Sequence, residues 1–184
     1  ADAGNNGDYV WGTNWVSTGD RYITSTRTSS FTLSANSTNY LLTGAGGAGV
    51  FWGVPTASSP LANTSTYNNE LYSFAPTLGE LSVKIAGTYE IELNVSALIS
   101  GSGGSTSIGI VKNTFGIGAT TNDLARADAA NTTVASYLKA RNPAVALVPT
   151  DIVRFVVLMS GVTGTVVVGT NPMDGTFRVR RIGA

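Results

Sequence analysis

A strict alternation of apolar and polar residues between positions 89 and 97 is the feature that most constrains the fold. Apolar side chains stand at 89, 91, 93, 95 and 97, and polar side chains at 90, 92, 94 and 96. Because successive strand side chains point to opposite faces, this predicts a long half-buried β-strand with one wet face. The same alternation runs through residues 80–85, and the two segments meet at Ala86-Gly87. They are therefore expected to form either an antiparallel pair or a corner between two sheets.

The rest of the chain reads as further short strands. Runs rich in Val, Ile, Thr and aromatic residues alternate with Gly, Ser, Asn and Pro from residue 21 to the C-terminal segment 176–182. Residues 123–129 are the only stretch with helical propensity, enough for one turn or a loop. Asn142-Pro143 separates two predicted strands. The spacing favours an all-β antiparallel jelly-roll sandwich, with an arm over residues 1–20 and a single domain over residues 21–184.

Composition excludes several classes of function. The chain has no cysteine and no histidine, so disulfides, thiolate or imidazole metal sites and His-containing catalytic triads are all ruled out. Eleven basic and eleven acidic residues are scattered without a basic stripe, which argues against nucleic-acid binding. No apolar run is long enough to predict a membrane span. We expect a protein that is not an enzyme, with no catalytic residue, metal or cofactor.

Two acidic residues could suggest chemistry. Glu90 and Glu92 share the wet face of the long strand, and paired carboxylates serve as acid and base in glycosidases. No partner signal accompanies them. A solvated strand face is the simpler interpretation, with Arg178, Arg180 and Arg181 as ion-pair partners across strands.

Residues 152–159 are apolar on both strand faces apart from Arg154. A strand with this pattern is covered on both sides. One face would meet the core of a two-layer sandwich. The other is expected to meet a neighbouring subunit.

Aromatic residues are concentrated near the N-terminus. Two of the three tryptophans lie there, in a short segment made of Tyr9, Val10, Trp11, Trp15 and Val16. These side chains either plug the domain's own core or anchor the chain to a partner, since Trp and Tyr dominate contact hot spots. The anchor is the working hypothesis.

A series of short motifs resembles the complement globular-head and tumour necrosis factor superfamily. In order they are Tyr72, Pro76-Thr77-Leu78-Gly79, Ala86-Gly87-Thr88-Tyr89, Lys112-Asn113-Thr114, Leu147-Val148-Pro149-Thr150-Asp151 and Thr176-Phe177. Thr114 and Thr150 replace the family's glycines, residues 1–66 have no clear counterpart, and no calcium-site carboxylate cluster is evident. The resemblance implies a jelly roll of the tumour necrosis factor type that assembles as a tight homotrimer. Similar trimeric jelly rolls occur in phage fibres and capsid decoration proteins.

These observations lead to one main hypothesis and one alternative. The main one is a non-enzymatic phage structural protein in the virion, a capsid decoration or head-fibre trimer held to the major capsid protein by its arm. The alternative is a trimeric receptor- or glycan-binding head of a tail fibre, or a secreted lectin-like module. A carbohydrate-cleaving enzyme is the weakest candidate. The trimer interface is expected to use apolar strand residues, namely Tyr89, Ile91, Phe155, Val157, Met159 and Phe177.

Overall fold

The computed structural model describes residues 9–11, 15–17, 22–26, 31–33, 38–42, 67–68, 71–75, 78–118, 121–130, 136–168 and 175–183. Side chains are described for Leu42 and, from residue 71 onward, for all of these except 99–102. Predictions that concern the remaining residues, including the Pro76-Thr77 part of its turn motif, lie outside the described residues.

Fifteen strands make up the described secondary structure. They are β1 Tyr9–Trp11, β2 Trp15–Ser17, β3 Tyr22–Thr26, β4 Phe31–Leu33, β5 Thr38–Leu41, β6 Tyr67–Asn68, β7 Tyr72–Ala75, β8 Glu80–Val83, β9 Gly87–Ser102, β10 Ser105–Lys112, β11 Asp123–Ala130, β12 Ser136–Leu147, β13 Ile152–Ser160, β14 Thr163–Val168 and β15 Thr176–Gly183. None of the described segments forms a helix that is long and apolar enough to cross a membrane.

The strands form two large antiparallel sheets. The first, called the β13 sheet, has the order β11-β10-β13-β8-β7-β6, and β5 also pairs with β13. The second, called the β9 sheet, has the order β3-β15-β9-β14-β4, and β12 also pairs with β9. Tyr89 pairs with Val145 of β12 and with Arg181 of β15, so β12 and β15 flank β9 on opposite edges. The hairpin of β1 and β2 is a separate sheet.

An aromatic cluster joins the two sheets in the core. Phe155 of the β13 sheet stacks on Phe177 of the β9 sheet at 4.5 Å between ring centroids, and Phe74 meets Phe177 edge-on at 4.9 Å. Tyr72 and Tyr89 meet edge-on at 6.1 Å. All five rings are fully buried. Burying each ring contributes about 1.5–3 kcal/mol, so this cluster is a main source of the sandwich's stability.

The turn at Ala86-Gly87 is a corner between sheets. β8 pairs with β7 and β13, whereas β9 pairs with β12, β14 and β15, so the two amphipathic strands never pair with each other. Gly87 is required there because a Cβ atom would lie 2.7 Å from the carbonyl oxygen of Gly183. The alternation predicted both strands and left the choice between pair and corner open. The corner is what the structure contains.

Two local predictions need correction. Residues 123–130 form strand β11, because Ala125, Ala127 and Ala129 pack against the core while the residues between them face solvent. Pairing with β10 thus overrides helical propensity. The break at Asn142-Pro143 is a β-bulge within the continuous strand β12, and the Asn142 side chain donates to the Leu124 carbonyl at 2.8 Å.

Two motifs distant in sequence meet at one end of β13. Asn113 donates to Asp151 at 2.8 Å, and its amide oxygen accepts a hydrogen bond from the Ile152 N–H at 2.8 Å. Lys112 lies 3.7 Å from the same carboxylate. Asn113 has a positive φ of 56°, a conformation that asparagine tolerates well. The Lys-Asn-Thr and Pro-Thr-Asp motifs therefore act together to fix two turns.

Candidate interaction surfaces

The six side chains predicted for a trimer interface lie inside a single chain. Tyr89, Ile91, Phe155, Val157, Met159 and Phe177 all have 0% exposure and belong to the sandwich core. A side chain fully covered by its own chain offers no area to a partner. The apolar face of β9 is therefore the core face, and any contact with a second copy must use other residues.

The outer face of β13 is also covered from within the chain. The segment 113–118, called the 113–118 loop, folds over it. Ile117 packs against Val111 and Val156 in a second small cluster, with Leu158 at its margin. Gly109 makes room for this loop, since a Cβ there would lie 2.6 Å from a side-chain carbon of Ile117. The predicted double cover is present at these positions, but a loop of the same chain supplies it where a neighbouring subunit was expected.

A buried ion pair lies beneath the same loop. Arg154 is 5% exposed, and its Nε and Nη2 donate to Oε1 of Glu80 at 3.1 and 2.5 Å. Its Nη1 donates to the carbonyl oxygen of Thr114 at 3.2 Å. The guanidinium carbon lies 4.0 Å from the centroid of the Phe115 ring, a cation–π contact. The one charge in the apolar strand is thus fully engaged by Glu80, Thr114 and Phe115.

The wet face of the β9 sheet carries a network of charges, called the charged face, made of Glu90, Glu92, Lys139, Arg141, Arg178 and Arg180. Oε1 of Glu90 accepts a hydrogen bond from Nε of Arg141, on β12, at 2.9 Å. Oε2 of Glu90 forms an ion pair with Nη2 of Arg180, on β15, at 3.0 Å. Glu92 receives Lys139 from β12 at 2.8 Å. Arg178 is opposite Glu92 in the β15–β9 register. The predicted ion pairing of Glu90 with Arg180 is confirmed. Arg181 instead donates to the Ala86 carbonyl oxygen at 3.2 Å.

Glu92 has a pKa below its usual value. Partial burial raises the pKa of its carboxyl, but the Asn94 amide, which donates at 2.9 Å, and the Lys139 ammonium favour the ionised form more strongly. The folded chain therefore releases this proton more readily than the unfolded chain. The ionised carboxylate stabilises the fold above the unfolded pKa of about 4.3, and that contribution is lost as pH falls through the lower folded pKa.

We expect Glu92→Gln to lower the free energy of unfolding at pH 7 and to have little effect at pH 2. At low pH the wild-type carboxyl is itself protonated, so the two proteins then differ by no charge at this position. Urea denaturation at several pH values measures the difference between wild type and variant. Lys139→Met is the reciprocal control, and its deficit should shrink over the same acid range. A deficit of Glu92→Gln that does not change with pH would contradict the assignment.

Two exposed apolar side chains mark the borders of the charged face. Tyr137 on β12 is 68% exposed and is opposite Ser96 of β9. Ile182 near the end of β15 is 40% exposed. The charged face therefore has an aromatic residue at one margin and an aliphatic residue at the other. Polar protein contacts have this kind of composition.

The N-terminal aromatic positions lie on a short hairpin. In its register Trp11 is opposite Trp15, Val10 opposite Val16 and Tyr9 opposite Ser17. By strand alternation the positions of Tyr9, Trp11 and Trp15 fall on one face, and those of the two valines on the other. Among the described strands, β1 and β2 pair only with each other. A two-stranded hairpin is marginally stable alone, so it needs a surface to pack on.

A metal site in this chain would need a cluster of acidic side chains, since cysteine and histidine are absent. No group of three acidic side chains that could hold a metal ion occurs in the described part of the chain. Ser107 donates to Asp128, and Arg126 binds the same carboxylate oxygen at 2.7 Å. Partial burial raises the pKa of Asp128, but Ser107 and Arg126 lower it further than burial raises it. Asp128 is therefore held by Arg126 of its own strand and by Ser107 of β10, which is a structural contact between two neighbouring strands.

Comparison with known proteins identifies the architecture. No protein-family model and no curated protein matches the sequence. Among solved structures, Eiger TNF from S. frugiperda matches with a TM-score of 0.56 and 13% identity, covering 88% of this chain and 91% of that chain. Murine APRIL at pH 5.0 matches with a TM-score of 0.56 and 9% identity, covering 88% and 98%. The chain has a tumour necrosis factor-like jelly-roll fold.

A weaker likeness, with a TM-score of 0.43 and 13% identity, links the chain to the globular domain of zebrafish complement 1qA. The assignment of the fold rests on the first two structures. At such low identities the likeness establishes the fold alone, and the surfaces described above have to be interpreted from their own residues.

Sequence reasoning missed the 113–118 loop and the exposed Phe115. Phe115 carried no sequence signal of its own. The clue was Gly109, a glycine inside a strand, which often marks the close approach of another segment. The loop's contact with Arg154 is non-local and could not be derived from alternation.

Proposed function

We propose that this chain is a non-enzymatic, homotrimeric attachment protein of a phage virion, a capsid decoration or head-fibre protein bound to the major capsid protein through its N-terminal hairpin. The observation that carries the proposal is the hairpin, which pairs with neither described sheet and has Tyr9, Trp11 and Trp15 at positions of one face. Large aromatic side chains on a marginal hairpin gain stability by packing on a partner.

Self-association is supported by the remaining exposed strand face. The resemblance to the tumour necrosis factor superfamily implies a homotrimer, and the core face of β9 is occupied within one chain. We therefore place the subunit contact on the charged face and its margins, Tyr137 and Ile182. The charged face carries four cations and two carboxylates. Because every contact in a three-fold trimer is heterologous, this face would meet a different surface of the neighbouring copy.

Attachment through three hairpins would follow from avidity. A trimer presents three copies of the hairpin around one axis, so binding of the first raises the effective concentration of the other two. Weak contacts of single hairpins then add up to lasting attachment near a three-fold position of a shell. Charged residues make up only 12% of the chain, and its formal net charge is zero. Both values suit a protein that works within an assembly.

Deletion of residues 1–17 is expected to leave the trimer intact and to abolish binding to capsids assembled without this chain. Light scattering should give about three times the mass of one chain for both proteins, since the sandwich surfaces are unchanged. For the full-length protein one chain has a mass of 18.9 kDa. Co-sedimentation with capsids measures attachment, and Val10→Thr/Val16→Thr, which leaves the aromatic positions intact, is the matched control. Full-strength binding by the truncated trimer would refute the attachment role, and a monomeric full chain would refute the trimer.

Glycan recognition by the head is the second candidate, and a specific observation favours it. Phe115 is 63% exposed in the 113–118 loop, and its ring lies on Arg154, which binds the carboxylate of Glu80. An exposed aromatic ring next to a polar hydrogen-bonding group is the usual composition of a shallow sugar site.

A further inference from the structure

Phe115 is held in an unusual way for an exposed aromatic residue. One face of its ring lies on the Arg154 guanidinium at 4.0 Å, yet the residue as a whole remains 63% exposed. Arg154 is itself fixed by two bonds to Glu80 and one to the Thr114 carbonyl. The ring is therefore oriented from beneath by a rigid charged layer, and its outer face stays open to solvent.

Preorganisation of this kind lowers the cost of binding. A side chain that is free to rotate loses about 0.5–1.5 kcal/mol of conformational entropy when a ligand immobilises it. Phe115 has lost most of that freedom already, through its contact with Arg154 and through the packing of Ile117 two residues on. A flat apolar surface fixed in this way is a good platform for a flat apolar ligand face.

The groups around the ring indicate the chemistry of the ligand. The Nε and Nη2 atoms of Arg154 both donate to Oε1 of Glu80, and no described residue donates to Oε2. The Glu80 side chain is 26% exposed, so this oxygen can accept from a ligand hydroxyl. Leu78, two residues earlier, is 56% exposed and adds an apolar margin. Arg154 and Glu80 neutralise each other, so the ion pair beneath the ring carries no net charge.

We propose that the outer face of Phe115, with the Oε2 atom of Glu80, binds an uncharged pyranose of a glycan. The C–H face of a pyranose stacks on an aromatic ring, and its hydroxyls donate to a carboxylate. The Arg154 guanidinium is already engaged by Glu80, so this neutral pair offers no cation to the charge of a sialylated or sulfated sugar. This inference rests on the second candidate function, glycan recognition by the head, and does not depend on attachment through the hairpin.

The test compares the full-length protein with two variants at Phe115, one without the aromatic ring and one that keeps it. A glycan array with uncharged and acidic glycans identifies a ligand, and saturation-transfer NMR with the best uncharged glycan measures binding. Phe115→Leu keeps an apolar cover over Arg154 but removes the ring, and should weaken binding by about tenfold. Phe115→Tyr should restore it.

The possible outcomes test the Phe115 site separately from glycan recognition by the protein. Absence of array binding by the wild type would refute glycan recognition altogether, and the site with it. Wild-type binding that Phe115→Leu retains would refute the site and leave glycan recognition standing. A preference for acidic glycans would also overturn the proposal, since it points to the cations of the charged face.

Discussion

Replacing Gly104 with alanine is expected to destabilise the protein by about 4 kcal/mol, enough to leave a large fraction unfolded. Gly104 lies in the turn between β9 and β10 with φ of 75°, a conformation that costs a non-glycine residue energy. Its Cβ would also overlap the Ser160 carbonyl oxygen and would lie 2.6 Å from the Val162 nitrogen. These are backbone atoms of the neighbouring turn between β13 and β14, and they cannot move aside without breaking strand pairing.

Gly103→Ala provides the matched control for this effect. Gly103 has the same φ of 75°, but a Cβ there would meet only the Gly161 carbonyl oxygen, at 3.5 Å, which is ordinary contact. The control should therefore cost only the conformational strain, about 1–2 kcal/mol. Urea denaturation followed by far-ultraviolet circular dichroism, which reports the strands themselves, measures both. Equal midpoints for the two variants would show that the two turns are not packed as described.

The sequence predicted the strands better than it predicted their partners. Alternation located β8 and β9 because a strand with one wet face has a strict period of two. It could not show that these strands belong to different sheets, since pairing depends on contacts with β13 and β15 that are far away in sequence. For the same reason β11 was misread, because three half-buried alanines resemble a helix segment until a neighbouring strand is known.

Site prediction succeeded where it rested on register and failed where it rested on hydrophobicity alone. The pairing of Glu90 with Arg180 followed from two strands with charges at alternate positions. Core and interface residues, by contrast, are both apolar, so Phe155 and Met159 could not be assigned to one or the other from sequence. Lys139 and Arg141 were missed because nothing in the sequence indicated that β12 pairs with β9.

Removing the carboxylate of Glu80 is the other change with a large expected effect. Glu80→Ala leaves the buried Arg154 guanidinium with only the Thr114 carbonyl and the Phe115 ring, and should cost about 3 kcal/mol. A charge that is 5% exposed cannot recover its hydration without opening the 113–118 loop. Glu90→Ala is the control on the charged face. Its ion-pair partners Arg141 and Arg180 are about half exposed, so the loss should stay below about 1 kcal/mol.

The double variant Glu80→Ala/Arg154→Met decides whether the pair stabilises the fold or only avoids an unpaired charge. Methionine keeps much of the apolar volume under Phe115 and removes the cation, so the double variant should be more stable than Glu80→Ala alone. Urea denaturation of wild type, both single variants and the double variant gives the coupling energy directly. If the double variant is no more stable than Glu80→Ala, Arg154 is solvated in solution, and the 113–118 loop does not cover it. The orientation of Phe115 for ligand binding depends on the same loop, so this cycle also tests the support on which the proposed sugar site rests.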